Sequence, residues 1–545
     1  MLITGVVTFA IAYALASYVV CPAVNFRDVQ FYCVLIFSVI ASSVGIFVRR
    51  AIIVARERRV YISFDNSEFK IIGVIIGSLV VILVLLVVVS SPIFNARVYR
   101  DRIVINTQDE EKFATEIPLV SDINKIALMD TESAKMLGDR VLGGLSDVVS
   151  QFEIYDYYTI EINGSPMKIA SLEYGNFFKW VSNRDKGIPG YVLVDPITSE
   201  AKYVKVEGGM KYAPSGFLSD DLIRHLRSKY PTKLFGDYSF QVDNKGNVYW
   251  VMSTVKPKTA IGCKIPNGAI VCNAVTGECD YYDLECIPDW VDLIFNGETV
   301  SRMYDEHGRY INGFINFSKK GITQTTDDYG YLCMGSDIYI YTGITSASSD
   351  ESNLGFILVN SRTGVYNYYA IAGAEEYSAM NAAQGAVQNY GYNASFPSLV
   401  NVGGIPTYVM VLKDSNNLVK MYAMVNVENY TIVSCENTLN ECLKNYNIAL
   451  KNAGTSAKIN NDNKETSKVT ITVEDIKYIT IEGNTFVYVL GDNGKLYRQI
   501  FTADETIMKA NVGDMMTIEY VNEDSVTEIE KFSIEKAPNV PNEQE

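Results

Sequence analysis

Residues 71–89 read Ile71-Ile-Gly-Val-Ile-Ile-Gly-Ser-Leu-Val-Val-Ile-Leu-Val-Leu-Leu-Val-Val-Val89. The stretch contains no charged side chain, and Ser78 is its only polar side chain. A helix needs roughly 20 apolar residues to cross about 30 Å of hydrocarbon. Buried helices of soluble proteins rarely run this length without a charge, so the stretch predicts a membrane span.

Two further charge-free runs precede it, at Leu2–Val20 and Val29–Val48. The first run has the length of a cleaved signal peptide, but the chain opens Met1-Leu2-Ile3-Thr4 and lacks the basic start of such peptides. A second run within ten residues favours a helical hairpin. The sequence therefore predicts a three-span anchor over residues 1–92, with spans at about 2–20, 29–48 and 71–89, in contact with a lipid bilayer.

The loops between the runs differ in charge. Residues 49–70 carry six basic side chains, whereas residues 21–28 carry only Arg27. Basic loops remain in the cytoplasm, so the pattern predicts a cytoplasmic N-terminus and a large extracytoplasmic domain at the plasma membrane. Three basic residues just beyond the third run indicate the opposite orientation: Arg97, Arg100 and Arg102. They are outnumbered by the six basic residues of the 49–70 loop.

Gly73 and Gly77 lie one helical turn apart in the third run. Two such glycines form a flat patch on which a second helix can pack closely. Glycine is also common in membrane helices, which is the ordinary explanation of the pair. The spacing predicts a helix–helix contact at Gly73 and Gly77, and through it a homo-oligomer.

The rest of the chain is strongly acidic. Residues 1–100 hold nine Lys and Arg against four Asp and Glu, so the remainder holds 38 against 59, a net charge of −21. Such a surface repels phosphate backbones, which excludes nucleic acid as a partner of the large domain.

A short sequence motif recurs along this domain. Gly355-Phe-Ile-Leu-Val-Asn-Ser-Arg-Thr-Gly-Val-Tyr-Asn-Tyr368 has counterparts at Gly190–Tyr203 and Gly268–Tyr281, and a degenerate copy at Met421–Val433. Each copy is an apolar run, an Asp or Asn, a turn and a second run, which predicts a β-hairpin. Starts about 78 and 87 residues apart indicate internal duplication.

A helix followed by meanders that end in strand–Asp–x–x–Thr–Gly–strand resembles the PepSY family of extracytoplasmic modules. The resemblance covers about half of residues 155–433, and it implies a role in restraining a peptidase. This chain departs from that family in two ways: its connecting loops are longer, and it has no adjoining peptidase. The sequence of residues 355–430 also resembles those of uncharacterised membrane-anchored proteins of bacteria and phages.

The remaining organisation follows from composition and periodicity. Residues 93–154 form a connecting segment with an amphipathic helix at Glu132–Val149, capped by Asp130 or Thr131. A mainly-β (α+β) domain of repeated antiparallel hairpins spans 155–448, and a polar linker spans 449–468. Residues 469–536 predict a small SH3- or OB-like β-barrel, and residues 537–545 a disordered tail.

Catalytic signatures are absent from the sequence. It contains no Gly-x-Ser-x-Gly, no P-loop, no His-Glu-x-x-His and no dinucleotide fingerprint. His225, on a helix, and His307, in an apparent turn, are the only histidines and suit surface positions. No residue is therefore predicted to be catalytic, to bind a cofactor or to bind a metal.

Seven of the nine cysteines lie in the outer domain, with spacings that do not fit zinc knuckles. Cys272 and Cys279 flank the turn of the second hairpin, and Cys435 and Cys442 bracket another short loop. Disulfides suit an extracytoplasmic domain, so the sequence predicts these two pairs, while free buried thiols are the alternative.

Two classes of function remain. The first is a membrane-anchored extracytoplasmic binding or scaffold protein that presents its repeats to a protein partner of the cell envelope. The second is a cell-envelope enzyme such as a hydrolase, or a PepSY-like peptidase regulator. Because no catalytic signature is present, the sequence favours the first class, without a cofactor.

Overall fold

The computed structural model describes residues 2–56, 66–108, 112–113, 116–117, 123, 126–347, 352–453, 467–481, 484–501, 504–520, 526–529 and 531–536. Three long N-terminal helices precede a large domain that is built mostly from antiparallel sheets. The predicted order of three apolar N-terminal helices and a β-rich body is confirmed.

The anchor helices are α1 (Leu2–Val20), α2 (Val29–Arg56) and α3 (Asn66–Ser90). All three are long and apolar enough to cross a membrane. α2 continues past the predicted end at Val48 as far as Arg56, because alanine and arginine favour helix even where the chain becomes polar. Of the basic residues of the second loop, Arg58 and Arg59 lie outside the described residues.

Small residues allow α1 and α2 to pack closely. A Cβ added to Gly45 would lie 2.5 Å from Thr8 Cγ2, and one added to Gly5 would lie 2.8 Å from Ile46 Cδ1. The Ser42 hydroxyl also donates a hydrogen bond to the Gly5 carbonyl oxygen at 2.8 Å. Close contact and interhelical hydrogen bonds are what hold helices together in lipid, where the hydrophobic effect is weak.

Hydrogen bonds connect the N-terminal helices to the domain. α3 leads through α4 (Pro92–Arg100) into β1 (Ile105–Gln108), and Ser90 Oγ accepts a hydrogen bond from Ile261 N at 2.9 Å. In the loop between α1 and α2, Val24 N donates to Pro231 O at 2.7 Å. This loop and the domain therefore lie at the same end of the helices.

Four units follow, each with a helix and an antiparallel four-strand meander. Unit one contains α5 (Thr131–Gly143), α6 (Ser146–Val149), β2 (Phe152–Ile162), β3 (Ser165–Tyr174), α7 (Phe177–Asn183), β4 (Ile188–Val194) and β5 (Ala201–Met210). Unit two contains α8 (Leu222–Lys229), β6 (Phe235–Val242), β7 (Val248–Pro257), β8 (Lys264–Asn273) and β9 (Cys279–Asp283).

Units three and four have the same order with additional short strands. Unit three contains α9 (Gly297–Arg309), β10 (Thr323–Thr325), β11 (Gly330–Met334), β12 (Asp337–Ser346), β13 (Ser352–Asn360) and β14 (Tyr366–Tyr369), followed by β15 (Gly373–Ala374). Unit four contains α10 (Glu376–Ala386), β16 (Asn393–Ala394), β17 (Ser398–Val402), β18 (Ile405–Lys413), β19 (Val419–Asn426) and β20 (Val433–Glu436), followed by α11 (Leu439–Asn452).

The recurring sequence motif forms the last two strands of each unit. β4–β5, β8–β9, β13–β14 and β19–β20 are antiparallel neighbours, which confirms the four predicted hairpins. Asp195, Asn273 and Asn360 each accept hydrogen bonds from the backbone N–H groups two and three residues ahead. The side chain thus holds each turn in the conformation that the sequence pattern predicts.

The connecting segment differs from the prediction in two ways. The helix expected over Glu132–Val149 is divided into α5 and α6, because Gly143 and Gly144 end the first helix. β1 pairs in parallel with β14 of unit three, although its four residues show no strand-like alternation of polarity. Asp130 caps α5, accepting from Ser133 N at 2.8 Å.

The C-terminal region forms an open sheet rather than the predicted closed barrel. Its strands are ordered β25-β23-β22-β21-β24-β26, and among the described residues the edge strands β25 and β26 do not pair. With only three residues, β25 is too short to close the curl. The strands are β21 (Ser467–Ile481), β22 (Asn484–Gly491), β23 (Leu496–Ile500), β24 (Met515–Tyr520), β25 (Val526–Glu528) and β26 (Lys531–Glu535).

The domain limits at this end are only partly described. α11 extends to Asn452, into the predicted linker, whereas residues 454–466 of that linker lie outside the described residues. The predicted tail at 537–545 also lies outside them.

Leucine at Gly73 and Gly77 tests the predicted contact of α3. An added Cβ at either position meets nothing within 4 Å, so the double variant should keep its fold while excluding a second helix from this face. We expect Gly73→Leu/Gly77→Leu to abolish detergent-resistant dimers in chemical cross-linking. Gly45→Leu is the matched control, because it disturbs the contact between α1 and α2 instead. Dimers that persist in the double variant would exclude α3 as the contact.

Candidate functional site

A cavity of about 1120 Å³ lies between unit one and units three and four. β2, β3 and the start of α5 form one wall, and β11 and β17 contribute to the opposite wall. The cavity therefore exists only when the three units are stacked. Much of its lining is apolar or aromatic, including Leu128, Met129, Tyr331, Leu332, Phe396 and Pro397.

Lys168 of β3 is the one basic side chain among the described residues that line this cavity. It is only 8% exposed, and its Nζ donates long hydrogen bonds to Thr131 Oγ1 at 3.3 Å and Thr159 Oγ1 at 3.4 Å. Burial lowers the pKa of Lys168 to about 8, while the nearby Asp130 carboxylate acts in the opposite direction. At neutral pH the ammonium is thus charged and has donor capacity for a ligand.

Asp130, at the cavity rim, forms an ion pair with a different lysine. Its Oδ2 accepts from Lys413 Nζ of β18, and Lys413 is 4% exposed. Burial raises the pKa of the Asp130 carboxyl, but the hydrogen bonds from Lys413 and Ser133 outweigh burial, so the pKa is lowered overall. Because this carboxylate is committed to Lys413, it does not neutralise Lys168 by direct contact.

Tyr157 lines the cavity, but its hydroxyl oxygen lies against Gly138 of α5. Its hydroxyl is buried and has no hydrogen-bond partner among the described residues. Burial raises the pKa of this phenol well above its ordinary value, so the hydroxyl remains a neutral donor. A Cβ on Gly138 of α5 would lie 1.9 Å from the Tyr157 oxygen, so a glycine is needed there to admit the side chain.

The first predicted cysteine pair lies in the second hairpin. Cys272 and Cys279 are directly opposed partners of β8 and β9, and both carry free thiols in the structure. His225 of α8 joins them, and one ligand atom from each of the three residues lies within 4.8 Å of the others. His225 was predicted to be a surface residue, and no local sequence pattern indicated its proximity to two cysteines about 50 residues away.

The second predicted pair is arranged differently. Cys435 Sγ of β20 points to Ala383 O at 3.7 Å, whereas Cys442 Sγ of α11 points to Ser434 O at 3.2 Å. Burial raises the pKa of both thiols to about 12. Both are free thiols in the structure, and the bridges at 272–279 and 435–442 stay predictions.

His307 does not lie in a turn as the sequence indicated. It belongs to α9, and its Nδ1 is 2.7 Å from the Arg100 carbonyl oxygen. The helix extends over Asp305-Glu306-His307-Gly308 because Asn296 caps its start and Val300, Met303 and Tyr304 bury one face. His307 therefore connects α9 to α4 instead of lining the cavity.

Comparison with protein-family models finds no match to this chain, and a search of curated proteins finds none with significant similarity. The PepSY resemblance thus continues to rest on short motifs alone.

Replacement of Asp130 by asparagine tests the ion pair at the cavity rim. Asparagine still caps α5, but the buried Lys413 ammonium loses its carboxylate. We expect the free energy of unfolding to fall by roughly 3–5 kcal/mol, as for other broken buried pairs. Urea unfolding followed by tryptophan fluorescence measures this, because Trp180 and Trp250 lie in the core shared by units one and two.

The exposed Asp139 on the same helix provides the control. Asp139→Asn should change the stability by no more than about 0.5 kcal/mol. Because the folded pKa of Asp130 is lowered, its contribution is complete above the unfolded value of about 4 and is lost as the pH falls through the folded value. A variant as stable as the wild type would show that the pair contributes nothing.

Proposed function

We propose that this protein is a membrane-anchored binding protein whose cavity holds an elongated, mostly apolar ligand with one anionic group. The ammonium of Lys168 is the observation that carries this proposal. It is buried at the cavity wall with two long contacts to threonine hydroxyls. An anion there gains charge-assisted hydrogen bonds, which are stronger than those to neutral groups.

The lining of the cavity supports the apolar part of the ligand. Ligand sites commonly have volumes of about 300–1,000 Å³ and combine apolar walls with a few polar groups. At about 1120 Å³, this cavity is slightly larger than that range. Leu128, Leu332 and Phe396 supply apolar surface. A ligand that is apolar over most of its length would cover these side chains.

We place the cavity on the extracytoplasmic side of the plasma membrane. The basic residues between α2 and α3 support a cytoplasmic second loop. The contacts of Val24 with Pro231 and of Ser90 with Ile261 put the first loop and the domain together at the other end of the spans. A partner protein in the cell envelope would then deliver or receive the ligand.

A PepSY-like regulator of a peptidase is the second candidate. It is favoured by the order of each unit, a helix followed by a meander that ends in an Asp- or Asn-capped hairpin. We infer that the four units arose by internal duplication. Under this candidate, the ligand would be a peptide segment with its carboxylate on Lys168.

An anionic aromatic dye provides the test of the cavity. The full chain in lipid nanodiscs is titrated with 1-anilinonaphthalene-8-sulfonate, with empty nanodiscs as the blank. We expect one saturable site that Lys168→Met weakens about tenfold or more, because a hydrogen bond to a charged group contributes roughly 1.5–3 kcal/mol. Affinity should also fall as the pH rises above about 8, where the Lys168 ammonium loses its proton.

Lys202→Met on β5 of the same sheet, at an exposed position, is the matched control and should bind the dye as the wild type does. The pH dependence should vanish in Lys168→Met alone. Equal affinity in wild type and Lys168→Met would reject Lys168 as the anion partner.

The orientation is tested through Cys286, which is exposed. A membrane-impermeant maleimide added to intact cells should label Cys286, and the label should be lost in Cys286→Ser. A cysteine introduced by Arg56→Cys at the other end of α2 should react only after permeabilisation. Labelling of the Arg56→Cys site in intact cells, without labelling of Cys286, would reverse the topology.

A further inference from the structure

His225, Cys272 and Cys279 bring one imidazole nitrogen and two sulfurs into a single cluster. The three ligand atoms lie within 4.8 Å of one another. Cys272 is fully buried, whereas His225 and Cys279 are partly exposed. An ion can therefore approach from one side of a site whose opposite side is closed. This cluster lies in unit two, outside the cavity of the proposed function.

The hairpin turn fixes the two thiols. Asn273 Oδ1 accepts from Val275 N and Thr276 N, both at 2.9 Å, and Asn273 N donates to Glu278 O at 2.8 Å. Cys272 and Cys279 come immediately before and after this closed turn and share the same sheet face. Both sulfurs are thus positioned by the backbone before any ion binds.

The imidazole is held from two sides. The ring of Tyr212 lies 4.0 Å from the His225 ring, centroid to centroid, and His225 Nε2 is 2.7 Å from Gly277 O. Tyr212 N itself donates to Ala274 O at 3.0 Å, so this tyrosine is attached to the hairpin. The contact of Nε2 with the Gly277 carbonyl oxygen fixes the orientation of the imidazole beside the hairpin turn.

Polar groups of the cluster converge on one backbone oxygen of the turn. Cys279 Sγ lies 3.3 Å from Gly277 O. Lys229 Nζ is 2.5 Å from Gly277 O, at the edge of the cluster. Thiolates are the form of cysteine that binds metals.

We propose that His225, Cys272 and Cys279 form a binding site for a thiophilic d10 metal ion, Zn²⁺ or Cu⁺. Two thiolates and one imidazole are ligands that both ions accept, and they leave a further position open to water or to another ligand. A disulfide between Cys272 and Cys279 would use the two sulfurs and leave His225 without a role. The metal site uses all three residues and does not depend on the proposed ligand cavity.

Cobalt is the optical probe for this site. The full chain in detergent is reduced without oxygen, freed of metal and titrated with Co²⁺. We expect one equivalent to give thiolate-to-cobalt charge-transfer absorption, and Zn²⁺ to displace it. Cys272→Ser and Cys279→Ser should each remove the absorption. His225→Gln should weaken binding by at least the roughly 10–100-fold that the loss of an outer-shell partner costs.

Cys286→Ser is the matched control, since it removes an exposed cysteine from the same region and should leave the titration unchanged. Tryptophan fluorescence establishes that each variant is folded. The proposal is overturned if the reduced wild type gives no thiolate absorption, or if Cys279→Ser retains it while folded. It is also overturned if His225→Gln binds cobalt as tightly as the wild type, because the thiols would then act without the imidazole.

Discussion

Successive side chains of an inner strand point into two different cores, so the inner sheets of the domain must be covered on both faces. In β7, Val251 packs with α9 and unit three, whereas Met252 packs with unit one. In β13, Ile357 packs in the core shared with unit two, whereas Leu358 packs in the core shared with unit four. Each such side chain contributes roughly 1.5–3 kcal/mol when buried, so neighbouring units stabilise one another through every inner strand.

This constraint separates what the sequence could predict from what it could not. Spans and hairpins depend on local patterns, such as the charge-free run at 71–89 and the Asn-capped turn after Cys272, and these patterns predict them well. The stacking of units depends on contacts between distant residues. Lys168, Tyr331 and Phe396 therefore carried no signal of a common cavity, and β1 gave no sign of its pairing with β14.

The C-terminal sheet illustrates the same difference. Its strands were predictable because Gly491-Asp492-Asn493-Gly494 marks a tight turn and apolar residues alternate on either side. Closure into a barrel depends on edge strands meeting, which a local pattern does not encode. The helix α8 was likewise predictable from Leu222 and Leu226. The contact of His225 with Gly277 was not predictable, because Gly277 lies in a hairpin turn 52 residues further along the chain.

α8 also connects the anchor to the cluster at the second hairpin. Arg224 Nε and Arg227 Nε donate to Tyr18 O and Cys21 O, each at 3.0 Å, at the end of α1. His225 and Lys229 leave the same helix in the direction of Gly277. One short helix therefore contacts the end of the apolar helix α1 and carries one of the three potential metal ligands.

The cavity has a consequence for biosynthesis. Chains are made from the N-terminus, and units generally fold in the order in which they emerge. Lys168 precedes Leu399 of β17 by 231 residues, so the wall opposite this lysine is added long after β3 has been made. Until then β3 lacks the opposite wall of the cavity. A chain cut short before β17 would keep an open groove beside Lys168, so the cavity distinguishes a finished protein from a truncated one.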